Sequence, residues 1–223
     1  MKITKPFDPD KLFFTSDTHL CHESIINLAE RPFGSVEEMN NFLIDAWNEK
    51  VHKDATVIVC GDFALTSKIS EIKNLVERLN GTIILVLGNH DYQNSLHRLS
   101  ISKLFNSRVY DMVQLKVRDS VIPSEIEYSE EFTKIIATHF PLFQWDRKCF
   151  HVHGHVHSSL KKKKMPFSPY VYDVGVDNNN YAPISWGELK KVFIEQIEFA
   201  KSCGLKVKPG YLINEEQTER IWQ

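Results

Sequence analysis

The sequence predicts an α/β fold, a parallel, doubly wound sheet with a second sheet packed on it. Three features of its 223 residues point there. Short apolar runs alternate with segments of helical period through the first half. The second half holds mostly strand-like runs. Most of the apolar runs end in a polar cluster, as strands do when their carboxyl-end loops share one crevice.

Taken in order, Lys11 to Ser16 (KLFFTS) reads as a short buried strand. Glu23 to Glu30 reads as a helix stopped by Pro32. Ser35, with Glu38 after it, opens another helix through a capping box, and Met39, Leu43, Ala46 and Trp47 form its apolar face. Thr56 to Cys60 (TVIVC) is β-branched and apolar, a strand covered on both faces. Ile69, Ile72, Val76 and Leu79 keep helical spacing up to a stop at Asn80-Gly81. Thr82 to Leu87 is a third buried strand, and Asn94 to Phe105 a helix. Val109 to Val117 and Lys134 to Thr138 read as strands joined by a polar, acidic connection. Cys149 to His153 and Tyr170 to Val176 are two more. Ser185 and Glu188 form a second capping box, opening a helix to about Ala200. No repeat or linker divides the chain. The reading is one domain over 1–223, with a core from about 11 to 200 and a polar extension from about 204 to 223.

Hydrophobic residues at 42% and charged residues at 25% give an ordinary globular balance with material for one sizeable core. A formal net charge of −2 creates no global field for nucleic acid or an acidic membrane, so anion binding must come from a local site. The four cysteines, Cys21, Cys60, Cys149 and Cys203, lie far apart. That spacing argues against a disulfide framework and fits a reducing compartment. Met1 to Asp10 has no apolar signal region and no run approaches membrane-spanning length, so the expected location is the cytoplasm.

The strand ends carry the chemistry. They deliver Asp17-Thr18-His19, Gly61-Asp62, Gly88-Asn89-His90-Asp91, His139, and Gly154-His155-Val156-His157. Aspartate, asparagine and histidine without thiolate suit borderline-hard cations such as Mn, Fe, Zn, Ni or Co, with Mn expected first. D-x-H and H-x-H place two ligands on one side of an extended segment. Gly61, Gly88 and Gly154 let the backbone turn and approach the ions. Seven candidate ligands exceed one tetrahedral site and suit two ions sharing a carboxylate. Two divalent ions, less the charges of Asp17, Asp62 and a bridging hydroxide, leave about one positive charge, an anion trap. Such a pair, about 3.5–4 Å apart, can activate water and clamp a phosphoryl group.

In this order the motifs D-x-H, G-D, G-N-H-D, H and G-H-x-H, running from Asp17 to His157, resemble the calcineurin-like metallophosphoesterase superfamily. The resemblance implies a two-sheet αββα sandwich. It implies one metal on Asp17, His19, Asp62 and His157, and a second on Asp62, Asn89, His139 and His155, with Asp62 bridging. His90 would face the substrate as general acid or transition-state stabiliser, with Asp91 fixing its ring. Asp17 to Phe33 looks like a small prokaryotic and phage-type branch of the family, which often has Gly where this chain has Cys21. The implied activity is hydrolysis of phosphomonoesters or phosphodiesters of nucleotide type, by attack of a metal-bridging hydroxide. A small phosphate ester is then the expected partner. A catalytically silent scaffold on the same fold and a nuclease are the competing readings. Scaffolds are expected to lose ligands, and here every position is filled. A nuclease predicts a broad basic face, which the charge does not favour.

Other residues carry two readings each. His22 either touches a substrate phosphate or simply begins a helix. Arg31 either clamps phosphate or serves the preceding helix dipole, and the second is favoured. His153 is expected in the core or behind the ligands. Asp177 to Tyr181 is expected to make a turn. Lys161 to Lys164 either steers a polyanionic substrate or forms a solvated hairpin tip, the more common fate of such a run.

Overall fold

The computed structural model describes residues 1–92, 95–119, 131–159, 168–205 and 210. β1 (Leu12–Thr15), β2 (Thr56–Val59) and β3 (Thr82–Val86) run parallel, with Phe13 opposite Val57 and Val57 opposite Ile83. β4 (Val109–Tyr110) extends this sheet beyond β3, parallel to it. The other edge is β9 (Ile184–Ser185), antiparallel to β1. The second sheet has the order β5 (Val113–Val117), β6 (Thr133–Ala137), β7 (Phe150–His153), β8 (Val171–Asp173).

Both faces of the first sheet are covered, which is why its strands read as unbroken apolar runs. Phe13, Val57, Val59, Ile83 and Leu85 pack against α1 (Glu23–Leu28), α2 (Val36–Lys50), α3 (Ile69–Arg78) and α4 (Ser95–Leu104) through residues such as Ile25, Met39, Trp47, Ile72 and Ile101. The alternate residues Leu12, Phe14, Ile58, Ile84 and Val86 meet Val113, Leu115, Ile135, Phe150 and Val152 of the second sheet. α5 (Trp186–Ser202) joins this layer, with the Phe193 ring 4.5 Å from that of Phe150. Full burial of each such side chain contributes about 1.5–3 kcal/mol. The result is the expected α/β sandwich of two sheets flanked by helices. Among the described residues no helix is long and apolar enough to cross a membrane.

Several local expectations change. The strand foreseen over Val109 to Val117 is two strands in different sheets. An unbroken strand would put Asp111 on the face of buried Val113, Leu115 and Val117, so the chain breaks at Asp111-Met112 and crosses between sheets. Asp111 instead pairs with Arg98 at 2.7 Å. The last expected strand ends at Asp173 and continues as a short 3-10 turn, Val176–Asn178. Ser185 and Glu188 form the full reciprocal capping box. At Ser35 only half of it forms, because the Glu38 carboxylate accepts the Gly34 N–H instead. β9 is two residues long and carried no periodic signal. The C-terminal extension touches the body at Gly210, whose carbonyl accepts the Trp145 N–H at 3.1 Å. The lysine run 161–164 lies outside the described residues.

Candidate metal centre

The parallel strands bring their ends together, and backbone hydrogen bonds lace the loops that follow. Asp17 N–H donates to the Gly61 carbonyl, His19 N–H to that of Asp62, and Leu20 N–H to that of Phe63, all at 2.9–3.0 Å. Gly154 N–H reaches the His139 carbonyl at 3.0 Å, and His155 N–H the Asp17 carboxylate at 2.9 Å. Within this lacework Asp17, His19, Asp62, His155 and His157 hold left-handed backbone, with φ of 55°, 47°, 53°, 71° and 45°. Aspartate and histidine tolerate that region better than most residues, but each instance still costs about 1–3 kcal/mol. Gly88 and Gly154 serve close packing: a Cβ on them would strike the Asp62 and Asp17 carboxylates at 2.2 Å.

Two groups of ligand atoms result. Asp17, His19 and His157 offer one set within 4.8 Å of one another, and Asp62, His139 and His155 a second. In the first, His19 Nε2 and His157 Nε2 lie 3.9 and 4.0 Å from Asp17 Oδ1. In the second, His139 Nε2 lies 2.9 Å from Asn89 Oδ1 and 3.2 Å from His155 Nδ1. All seven ligand candidates of the sequence therefore converge.

The groups fit metal ions. Asp17 Oδ1 and His19 Nε2 are buried and have no hydrogen-bond partner, a costly arrangement for a polar pair. Burial pushes the Asp17 carboxyl well above its ordinary range and the His19 imidazole down to about 2. A cation between them favours the ionised carboxylate and suits the neutral imidazole. Around the first group a buried brace has formed. Arg31 grips Asp177 with two bonds of 2.8 and 2.9 Å and also donates to the carbonyls of Asp17 and Thr18. Asp177 in turn accepts from His157 Nδ1 at 2.7 Å. Burial alone lowers the His157 pKa, but the bond to Asp177 and the charge of Asp17 outweigh it and raise the value. For Asp177 burial acts upward, and the bonds from His157 and Arg31 reverse it.

Sequence reasoning missed this brace. Asp177 does lie in the turn expected of it, but the partner of its carboxylate is not local. Arg31 reads as a helix-end charge. It is neither that nor a phosphate clamp, since every guanidinium nitrogen is already bonded inside the protein. Asp91 also differs from expectation. Its carboxylate accepts the N–H groups of Asp62, Phe63 and Gly88 at 2.6–2.8 Å, so it ties two ligand loops together and does not hold the His90 ring. His90 is exposed, its N–H bonded to Asp62 Oδ1 at 2.8 Å and its ring 5.3 Å from that of His19. His153 is buried, as expected, with Nδ1 2.9 Å from the Gly154 carbonyl. Cys21 Sγ meets Asn40 Nδ2 at 3.6 Å and belongs to neither ligand group.

A two-sheet α/β sandwich with carboxylates and imidazoles gathered at its strand ends presents a candidate metal centre. The family model of the calcineurin-like phosphoesterases matches residues 11–177, and the chain belongs to that family of metal-dependent phosphoesterases. It is similar to gene 66 protein of Mycobacterium phage L5, 30% identical over 198 residues that cover 79% of this chain and 88% of that one. Uncharacterized protein MJ1445 of Methanocaldococcus jannaschii is 44% identical over 82 residues, 36% of this chain. That match spans about half of the archaeal protein, 47% of its length. Among solved structures, the protein of unknown function AQ665 from Aquifex aeolicus superposes with a TM-score of 0.57 at 24% identity, over 81% of this chain and 98% of that one. At that identity the likeness speaks for the fold alone.

Proposed function

We propose that the protein is a dinuclear phosphoesterase acting on phosphomonoesters or phosphodiesters of nucleotide type. One observation carries this reading. Asp62 Oδ2 lies 3.6 Å from His19 Nε2 and 3.4 Å from His139 Nε2, so a single carboxylate oxygen faces both ligand groups. One ion would rest on Asp17, His19, Asp62 and His157, the other on Asp62, Asn89, His139 and His155. Imidazole-rich sets of this kind favour Mn, with Fe, Zn, Ni and Co as alternatives, over Mg. When bound, such ions supply an acidified water and positive charge for the phosphoryl oxygens.

The remaining work falls to the chain's own side chains. His90 is exposed beside both groups, with its backbone pinned and its ring outside either ligand set, a position from which it can protonate a leaving oxygen. Phe140 follows His139 and is 49% exposed, with its ring 4.5 Å from that of His155. An apolar ring left in solvent beside the ligands supports a substrate with a flat group to stack, which favours the nucleotide class.

The test is a leaving-group series. General acid help is worth about 10²–10⁴-fold where the leaving oxygen is basic and little where it is not. His90→Ala should keep its metal. It should lose far more rate on alkyl or nucleoside esters than on p-nitrophenyl esters. Equal losses across the series remove the general-acid role, and loss of metal makes His90 a ligand.

A further inference from the structure

An imidazole that ligates through one nitrogen carries its proton on the other, and an acceptor there decides which is which. Two ligand rings have ordinary acceptors. His139 Nδ1 lies 2.9 Å from the Cys60 carbonyl, and His157 Nδ1 lies 2.7 Å from the Asp177 carboxylate. His19 differs. Its Nδ1 lies 3.0 Å from Nδ1 of a second imidazole, His22. The other nitrogen, His19 Nε2, is the buried and unpartnered one that faces Asp17 and Asp62. With a metal on His19 Nε2, the His19 proton would sit on Nδ1, and His22 Nδ1 would be the atom that accepts it. That would call for His22 in the neutral form protonated on Nε2.

The surrounding chain is shaped for this contact. His22 stands at the N-cap of α1, yet its side chain makes no cap hydrogen bond. A capping residue there typically contributes about 1 kcal/mol. Just before it, Cys21 is held at φ 64°, and Asn40 Oδ1 accepts its N–H at 3.0 Å. A side chain from α2 thus fixes the turn that aims His22 at His19.

We propose that His22 is a positioning residue. By accepting the Nδ1 proton of His19 it selects the tautomer that offers Nε2 to the first metal position. The proposal rests on the metal reading of the site. It adds a residue outside both ligand groups, and gives His19 a neutral nitrogen partner where His139 has a carbonyl and His157 a carboxylate.

The experiment compares two near-isosteric variants, His22→Asn, which keeps an acceptor oxygen where Nδ1 stands, and His22→Leu, which has none. Mn binding to metal-stripped protein is measured by calorimetry. His22→Leu should weaken the tighter Mn equivalent by about 10–100-fold, the usual cost of losing such a partner. His22→Asn should stay within a few-fold of wild type. Equal losses in both variants, or none in either, overturn the proposal. So does loss of a whole equivalent in both, which would make His22 a ligand. Nitrogen-15 spectra of the metal-free wild type provide a readout independent of variant folding. They should show His19 protonated on Nδ1 and His22 on Nε2, and the opposite assignment overturns the proposal. A wild type that binds no Mn at all would instead break the metal reading, while the spectra still decide the histidine pair.

Discussion

Asp17, His19 and His157 form a walled socket, whereas Asp62, His139 and His155 line an open edge. Asp17 and His19 are almost fully buried, and behind His157 stands the internal pair of Asp177 and Arg31. The second group also has buried members in Asp62 and His139, but His155 and its neighbours Asn89 and His90 are exposed. Beyond the shared Asp62, each proposed position takes two imidazoles, with Asp17 added in the first and Asn89 in the second, and the enclosure differs as well. An ion held in the first group would be shielded and braced by charge. An ion in the second would be reached by solvent and substrate. If both positions fill, the contacts around the ligands as well as the ligands themselves would set the two ions apart.

The largest effect is expected from removing what the groups share. Asp62→Asn deletes the one negative charge placed between both, so repulsion between two cations rises. Binding of both Mn equivalents should weaken, and hydrolysis should fall by orders of magnitude. Calorimetry and steady-state rates check this, and unchanged affinity for both ions would show that Asp62 does not bridge. Next in size is the brace. Arg31 and Asp177 are buried together, and removing one partner of such a pair leaves the other's charge uncompensated, at a cost of about 3–5 kcal/mol. Arg31→Met should therefore lower chemical-denaturation stability by about that amount. It should also weaken the tighter Mn equivalent more than the looser one. A stability loss well under 1 kcal/mol would mean that the brace is not what distinguishes the socket. The smallest effect is expected at the open edge. His155→Ala removes an exposed proposed ligand with no comparable brace, so only the looser equivalent should weaken and the melting temperature of metal-free protein should barely move. Equal weakening of both equivalents would erase the distinction between the groups.

Much of this was legible in the sequence, for a physical reason. Parallel strands buried on both faces must be continuously apolar, and their ligands must follow directly, so TVIVC-Gly-Asp and TIILVL-Gly-Asn-His mark strand and site together. The break between β4 and β5 was legible as well, had the position of Asp111 on the buried face been weighed. The partners behind the ligands were not. Arg31 and Asp177 are 146 residues apart, and nothing local in either segment signals the other. Asp91 misled because adjacency to His90 suggests contact, whereas the turn at Gly88 sends its carboxylate inward to three backbone N–H groups. His22 reads equally as a phosphate contact or a helix start; it does start α1, but its side chain leaves the cap unmade to meet His19.

The proposed hydrolytic centre joins two unequal metal positions. It is tested most directly by adding Mn stepwise to metal-stripped protein while recording both heat and hydrolysis of a phosphate diester. Two equivalents are expected, a tight one that leaves the protein nearly inactive and a weaker one along which activity rises, with Mg a poorer substitute. Full activity at one equivalent, or hydrolysis that persists with metal content confirmed as nil, would contradict it.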